Sequence, residues 1–187
     1  MSTNRIPPGQ RQVSDFPVLD LGLRPEVSHD NWQLRLFGLV AEEVCLDWDA
    51  LLRLPQVQVT SDFHCVTTWS QLDMGWEGVL ARDVVALAGP LTEARFVTLH
   101  SYDGYTTNLP LAALLDDDVL VAHGLDGGPL AYEHGGPVRL VVPKRYGWKS
   151  AKWLSGIEFT AADQPGYWEV RGYHNEADPW KEERYSE

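Results

Sequence analysis

Cysteine is nearly absent from this chain: Cys45 and Cys65 are the only two among 187 residues. Two cysteines make no disulfide framework. Without a C-x-x-C there is no zinc ribbon and no thioredoxin-type motif, and without C-x-x-C-H no covalent haem attachment. The glycine fingerprint of a dinucleotide site is missing. No apolar run approaches the ~20 residues that span a bilayer, so direct membrane insertion is not expected. The opening MSTNRIPPGQRQ has no apolar core of the secretory type, and a cytoplasmic location is the expectation. Basic residues are outnumbered 15 to 27, giving a net charge of −12. A nucleic-acid partner, which needs a basic face to displace phosphate counterions, is therefore not expected.

What is present describes an ordinary folded chain. Hydrophobic residues make up 44%, and eight tryptophans, seven tyrosines and five phenylalanines need a packed interior. Residues 1–31, rich in Pro, Gly and polar side chains, read as an extended arm, and 32–187 as one domain. Alternation over Trp32 to Leu36 and over Val57 to Thr60 predicts half-buried strands. Arg95 to His100, Val119 to His123 and the apolar Val138 to Val142 also read as strands. Asp47 caps a predicted helix over Trp48 to Leu54, stopped by Pro55. Ala81 to Ala88 reads as a helix closed by Gly89, and Leu111 to Leu115 as a short one after Pro110. Strands dominate without βαβ alternation, so the fold class is α+β, with mixed β-sheets and short helices.

Cys65 lies in "SDFHCVTTWSQLDMGW", just past a predicted strand. It reads as a buried inert thiol, as a nucleophile, or as a soft thiolate ligand for a redox metal. His64 is a poor base for it, because neighbours in an extended segment point to opposite faces. His100, His123 or His134 could serve from a distance. A single cysteine holds a metal only if the metal arrives on an organic cofactor, and an anionic cofactor needs local positive charge. Cys45, in Val44-Cys45-Leu46, is assigned to the core.

That charge is found at "HGGPVRLVVPKRYGWKSAKWLSGI", residues 134–157. The stretch has no Asp or Glu, yet holds Arg139, Lys144, Arg145, Lys149 and Lys152. Glycines 135, 136 and 147 allow close backbone approach to a ligand. Arginine offers a planar fork to phosphate and lysine a point charge, each charge-assisted bond worth ~1.5–3 kcal/mol. An anion site is favoured over a plain basic loop on this segregation of charge.

In order along the chain, "WQLRLFGLV", "DFHCVTTWS", "SYDGYTTNLPL", "HGGPVRLVVPKRYGWKSAKWLSGIEF" and "GYWEVRGYHNEADPWKEERY" resemble segments of the sulfite oxidase-like family of molybdopterin-dependent oxidoreductases. The resemblance implies that family's molybdopterin-binding fold and a molybdenum–molybdopterin cofactor (Mo-MPT), with Cys65 as the metal's protein ligand. It implies two-electron oxygen-atom transfer on a small-molecule substrate. It places Ser101, His134, Arg139, Ser150 and Lys152 at pterin or phosphate contacts, with Lys149 and the Ala151 amide joining them. Tyr102 and Asp103, with His64 and His100, are candidates for the substrate side, although Tyr102 and Asp103 also suit an ordinary turn before Gly104. The arginines that sulfite oxidases place near this cysteine are replaced by Thr67, Thr68 and Ser70. With no haem or iron–sulfur motif, a separate redox partner is implied, such as a cytochrome or membrane haem protein. Two alternatives stand beside this reading: a metal-free cysteine-dependent enzyme, and a non-enzymatic anion-binding domain of the same fold.

Overall fold

In the computed structural model, which describes residues 5–186, eleven strands and three short helices build two sheets. The strands are β1 (Arg11–Gln12), β2 (Gln33–Gly38), β3 (Val44–Asp47), β4 (Val57–His64), β5 (Trp69–Leu80), β6 (Phe96–Ser101), β7 (Thr106–Pro110), β8 (Leu120–Leu125), β9 (Gly128–Pro129), β10 (Arg139–Val141) and β11 (Leu154–Thr160). The helices are α1 (Trp48–Arg53), α2 (Ala81–Ala86) and α3 (Leu111–Leu114). The fold is α+β with mixed sheets, as the sequence predicts.

One sheet runs β3-β2-β11-β6-β7, with β11 parallel to β2 and antiparallel to β6. The expected alternation of β2 puts Leu34 and Leu36 in the core and Gln33 and Arg35 in water. The same period of two corrects the reading of Cys45. Leu46 takes the inward position of β3 and Cys45 faces solvent, opposite Arg35. Asp47 caps α1 by accepting from the Ala50 amide, as expected, and the helix ends at Arg53.

The other sheet is organised by β5, a twelve-residue strand that sequence patterning misses. Its alternation is broken by Gly75 and Gly78, and Asp73 turns through positive φ. A side chain at Gly78 would run into the Val121 carbonyl of β8. β4 and β8 flank β5 antiparallel, β10 pairs with β8, and β1 adds in parallel at Trp69 and Ser70. Of the segment read as an arm, residues 1–4 lie outside the described residues. The remainder is joined to the second sheet at β1 and then crosses toward the first, where Trp32 is buried and donates to the Leu154 carbonyl at 2.8 Å.

Two buried clusters follow from this layout. The larger gathers Trp32, Leu34, Leu36, Val97, Leu99, Ile157 and Phe159 around the first sheet. The smaller collects Phe63, Cys65, Trp69, Met74, Trp76, Tyr146 and Trp148. Among the described residues no helix is long and apolar enough to cross a membrane.

Candidate active site

The turn between β4 and β5 fixes Cys65. Its amide donates to the Trp69 carbonyl at 2.9 Å, and its carbonyl accepts from the Thr68 amide at 3.1 Å. Thr68 sits at φ 77°, the left-handed conformation that reverses the chain there. Two side chains from far along the sequence tie the turn down. Gln10 Nε2 donates to the carbonyls of Cys65 and Trp69, each at 3.0 Å, and Arg184 donates to the Val66 carbonyl at 2.7 Å.

Alternation sends His64 and Cys65 to opposite sides. His64 Nδ1 pairs with Ser70 Oγ at 2.8 Å and its ring faces a separate concavity with Asp62, Asp118 and Lys144. The Cys65 thiol faces a cavity of about 310 Å³. Its sulfur has a polar neighbour in Thr67 Oγ1 at 3.1 Å. Burial pushes the thiol upward, partly offset by that hydrogen bond.

Of the residues singled out in the sequence, Cys65, Ser101, Asp103, His134, Arg139, Ser150 and Lys152 all line this one cavity. Arg139 is buried in its wall. Its guanidinium donates to the carbonyls of His134, Ser150 and Leu140 at 2.7, 2.9 and 3.3 Å, with no carboxylate hydrogen-bonded to it. Burial lowers its pKa to about 9, so it remains charged at neutral pH. Phe16, Phe63 and Trp76 lie within 6 Å of its central carbon and offer ring faces to the cation. Lys152 donates to the Glu133 carbonyl at 2.6 Å, and burial followed by the charge of Arg139 lowers its pKa to about 8. Gly135, at φ 103°, lets the backbone pass Lys152 so closely that a Cβ would sit 2.8 Å from the Lys152 Cβ. Two buried polar atoms of the lining, Ser101 Oγ and His134 Nδ1, have no hydrogen-bond partner among the described residues.

Three candidates lie elsewhere. Tyr102 does not face the cavity: its hydroxyl accepts from the Gln33 amide at 2.7 Å and donates to the Gln33 carbonyl at 2.9 Å. Lys149 turns into the protein. Its ammonium lies 2.7 Å from Glu169 Oε1 and donates to the Asn108 carbonyl and Oδ1 at 2.8 and 3.0 Å. Spaced one residue from Ser150 and three from Lys152, it belongs to a short 3₁₀ turn, Gly147–Lys149, that rotates it inward. Ala151 is buried beside the cavity wall rather than in it. His100, a further substrate-side candidate, pairs with Glu158 at 2.9 Å on the neighbouring sheet.

Sequence reading missed most of the apolar lining. Phe16, Leu19 and Leu21 reach in from the N-terminal segment, and Trp148, Trp168 and Tyr173 from the C-terminal side. Phe16 stacks on the His134 imidazole at 4.3 Å between ring centres. The aromatic richness of "GYWEVRGYHNE" was the available signal, but nothing in its spacing says which rings turn inward.

Among the described residues no three His, Cys, Asp or Glu side chains gather as a metal-holding group. A metal at Cys65 would need donors from a bound molecule. The rest of the cavity suits such a molecule: a buried and a half-buried cation, two buried polar atoms without partners among the described residues, and aromatic walls that accept a flat ring system.

Comparison with known proteins agrees. Residues 21–168 match the family described as the oxidoreductase molybdopterin binding domain. The chain is 44% identical over 185 residues to the uncharacterized oxidoreductase YuiH of Bacillus subtilis, covering 98% of this chain and 93% of that protein. It is 30% identical over 149 residues to a putative protein-methionine-sulfoxide reductase subunit, YedZ1, of Azospira oryzae, covering 80% of this chain and 56% of the relative. Among solved structures, the sulfane dehydrogenase SoxCD from Paracoccus pantotrophus superposes with a TM-score of 0.68 at 25% identity, covering 74% of this chain and 40% of that one. The chain thus spans little more than half of the reductase subunit and less than half of the dehydrogenase chain.

Proposed function

This chain belongs to the oxidoreductase molybdopterin-binding family, as a molybdopterin-dependent enzyme of sulfite oxidase-like fold, and from that premise we propose that Cys65 is its thiolate ligand to molybdenum and that it moves an oxygen atom, with two electrons, to or from a small substrate. The observation that carries the reading is the convergence of the Cys65 thiol with one buried cation, Arg139, and one half-buried cation, Lys152, on one cavity. Among the described residues, neither cation has a carboxylate hydrogen-bonded to it.

When bound, the cofactor supplies the two-electron redox chemistry. The protein's own part is binding and orientation. Arg139 and Lys152 attract the phosphate, with Ser101 Oγ and His134 Nδ1 as neutral hydrogen-bond groups that are otherwise orphaned. Ser150 holds the Val142 amide with its hydroxyl and Arg139 with its carbonyl, so it shapes the cradle. Gln10 and Arg184 fix the cysteine turn, which keeps the sulfur aimed inward. Phe16, Trp69, Trp148 and Trp168 exclude water and lower the local dielectric.

Arg184 is the guanidinium near this turn, and it is committed to the Val66 carbonyl and Gln10. Among the described residues no uncommitted arginine lines the cavity, where Thr67 is the polar neighbour of the sulfur, and this favours an uncharged substrate. The metal-free nucleophile has little support, since burial raises the thiol and its polar neighbour is a threonine. Electrons exchange with a separate haem-bearing redox protein.

The test is elemental analysis and fluorescence of the released, oxidised pterin, on protein made in a host that synthesises the cofactor. About one molybdenum and one pterin per chain are expected. Cys65→Ser should keep much of the pterin but reduce the sulfur contribution to the molybdenum X-ray absorption spectrum by one ligand, the cofactor's own sulfurs remaining. Fully matured protein without molybdenum, or an unchanged spectrum in the variant, refutes the reading.

A further inference from the structure

Two-electron chemistry at Cys65 requires a route for electrons across the protein. The inference below rests on the reading of Cys65 as a molybdenum ligand. Among the described residues no second metal-holding group exists to relay them. What the chain does contain is a ladder of aromatic rings. Trp148, Trp168 and Tyr173 line the cavity. Tyr173 stacks on Trp168 with centres 4.8 Å apart and meets Trp148 edge-on, also at 4.8 Å. On its other side Tyr173 contacts Tyr185 at 5.5 Å, and Tyr185 is 62% exposed. A β-bridge joins Tyr173 to Tyr185, and the Ser186 amide donates to the Gly172 carbonyl, so the pair is held rigidly.

A second exposed ring belongs to the same C-terminal segment, beside the concavity that His64 faces. Trp180, 52% exposed, lies 6.5 Å from the ring of His64, the residue bonded directly to Cys65. No such ladder leaves through the N-terminal segment, where the ring partners of Phe16 are Phe63, Trp69, Trp76 and His134, all within or behind the cavity wall. Exposed tyrosine and tryptophan are the residue types that anchor protein interfaces.

Charge distinguishes the partner. Residues 173–186 hold Glu176, Asp178, Glu182 and Glu183 against Lys181 and Arg184. Arg184 is turned inward onto the Val66 carbonyl and the Tyr146 ring. Arg145, from outside the segment, pairs with Glu176 at 3.2 Å, so the face keeps a small acidic excess, and a basic partner would be steered toward it.

We propose that the face formed by residues 173–186, centred on Tyr185 and Trp180, docks a one-electron haem carrier protein with a basic rim, and that the Tyr173–Tyr185 pair is the electronic bridge from the cavity. The reduced centre gives up two electrons singly, and two ferric haems each take one. The rings serve as a bridge, so no bond forms or breaks along the route.

The experiment uses cofactor-loaded enzyme, reduced with dithionite, freed of excess reductant and mixed in a stopped flow with a lysine-rich ferric c-type cytochrome. Haem reduction is followed optically. Wild type should react faster at low ionic strength than at high. Tyr185→Leu should slow the bimolecular step at least tenfold, and Trp180→Leu less. Both should keep wild-type molybdenum and pterin content and a wild-type rate with ferricyanide, which is small enough to approach the cavity itself. Glu43→Lys, in the β2–β3 connection, should react as wild type. The proposal is overturned if loaded wild type shows no salt-dependent haem reduction, or if Tyr185→Leu reacts at the wild-type rate. Absence of molybdenum from the wild type would instead remove the functional reading beneath it.

Discussion

Replacing Lys149 with methionine tests whether this lysine holds the cavity wall rather than a phosphate. Its ammonium and the Glu169 carboxylate are buried, with side-chain exposures of 0% and 1%. Glu169 Oε1 also accepts from Thr107 Oγ1 and Trp148 Nε1, both at 2.8 Å. Removing one member of a buried pair costs about 3–5 kcal/mol, because the survivor is left charged in a poor solvent. Methionine keeps most of the stem volume, so little is added for a cavity. Two neutral donors still serve Glu169, which places the expected loss near the lower bound, ~3 kcal/mol. At 2–4 °C per kcal/mol for a chain of this size, the melting temperature should fall by roughly 6–12 °C. Lys149→Met/Glu169→Gln removes both charges and leaves an acceptor for Thr107 and Trp148, so it should recover more than half of the loss. Urea unfolding at matched cofactor occupancy measures all three proteins, since occupancy itself shifts stability. A single-variant loss below ~1 kcal/mol, or a double variant worse than the single, would refute the assignment.

Two further outcomes follow from the cavity. Burial and Arg139 lower the pKa of Lys152 to about 8, so the cofactor-free protein should bind inorganic phosphate below that pH and lose affinity as pH rises through it, with protons taken up on binding. Calorimetry in buffers of different ionisation enthalpy checks this, and Lys152→Met should reduce the proton uptake and weaken the fall in affinity around pH 8. Phe16→Ala removes the ring that joins residues 14–24 to His134, Phe63 and Trp69. Thermolysin should then cut near Leu19 and Leu21 several times faster, with the rest of the domain resisting.

The parts of the site legible in the sequence were those marked by chemistry rather than by direction. Cys65, Arg139 and Lys152 stand out as a thiol and members of a cation cluster in an acidic chain of low cysteine content, whereas Ser150 rests on the family resemblance. Lys149 stood in the same cluster, but its partner Glu169 lies twenty positions on in the sequence, and no local pattern joins them. Tyr102 was placed at the right corner of the fold and faces the wrong way, toward Gln33. In the fold, β2 and α1 were readable from alternation and a cap. β5 was not, because the glycines that let β8 pack closely against it interrupt its period. Phe16, Trp168 and Tyr173 come from irregular segments whose direction is set only by tertiary packing.

The knot of bonds at the cysteine turn has a consequence for synthesis. Arg184 donates to Gln10 Oε1, across a separation of 174 residues, while both side chains grip the turn that carries the thiol. A nascent polypeptide that does not yet include Arg184 cannot close this clasp. The sulfur therefore attains its final setting only after translation has passed residue 184.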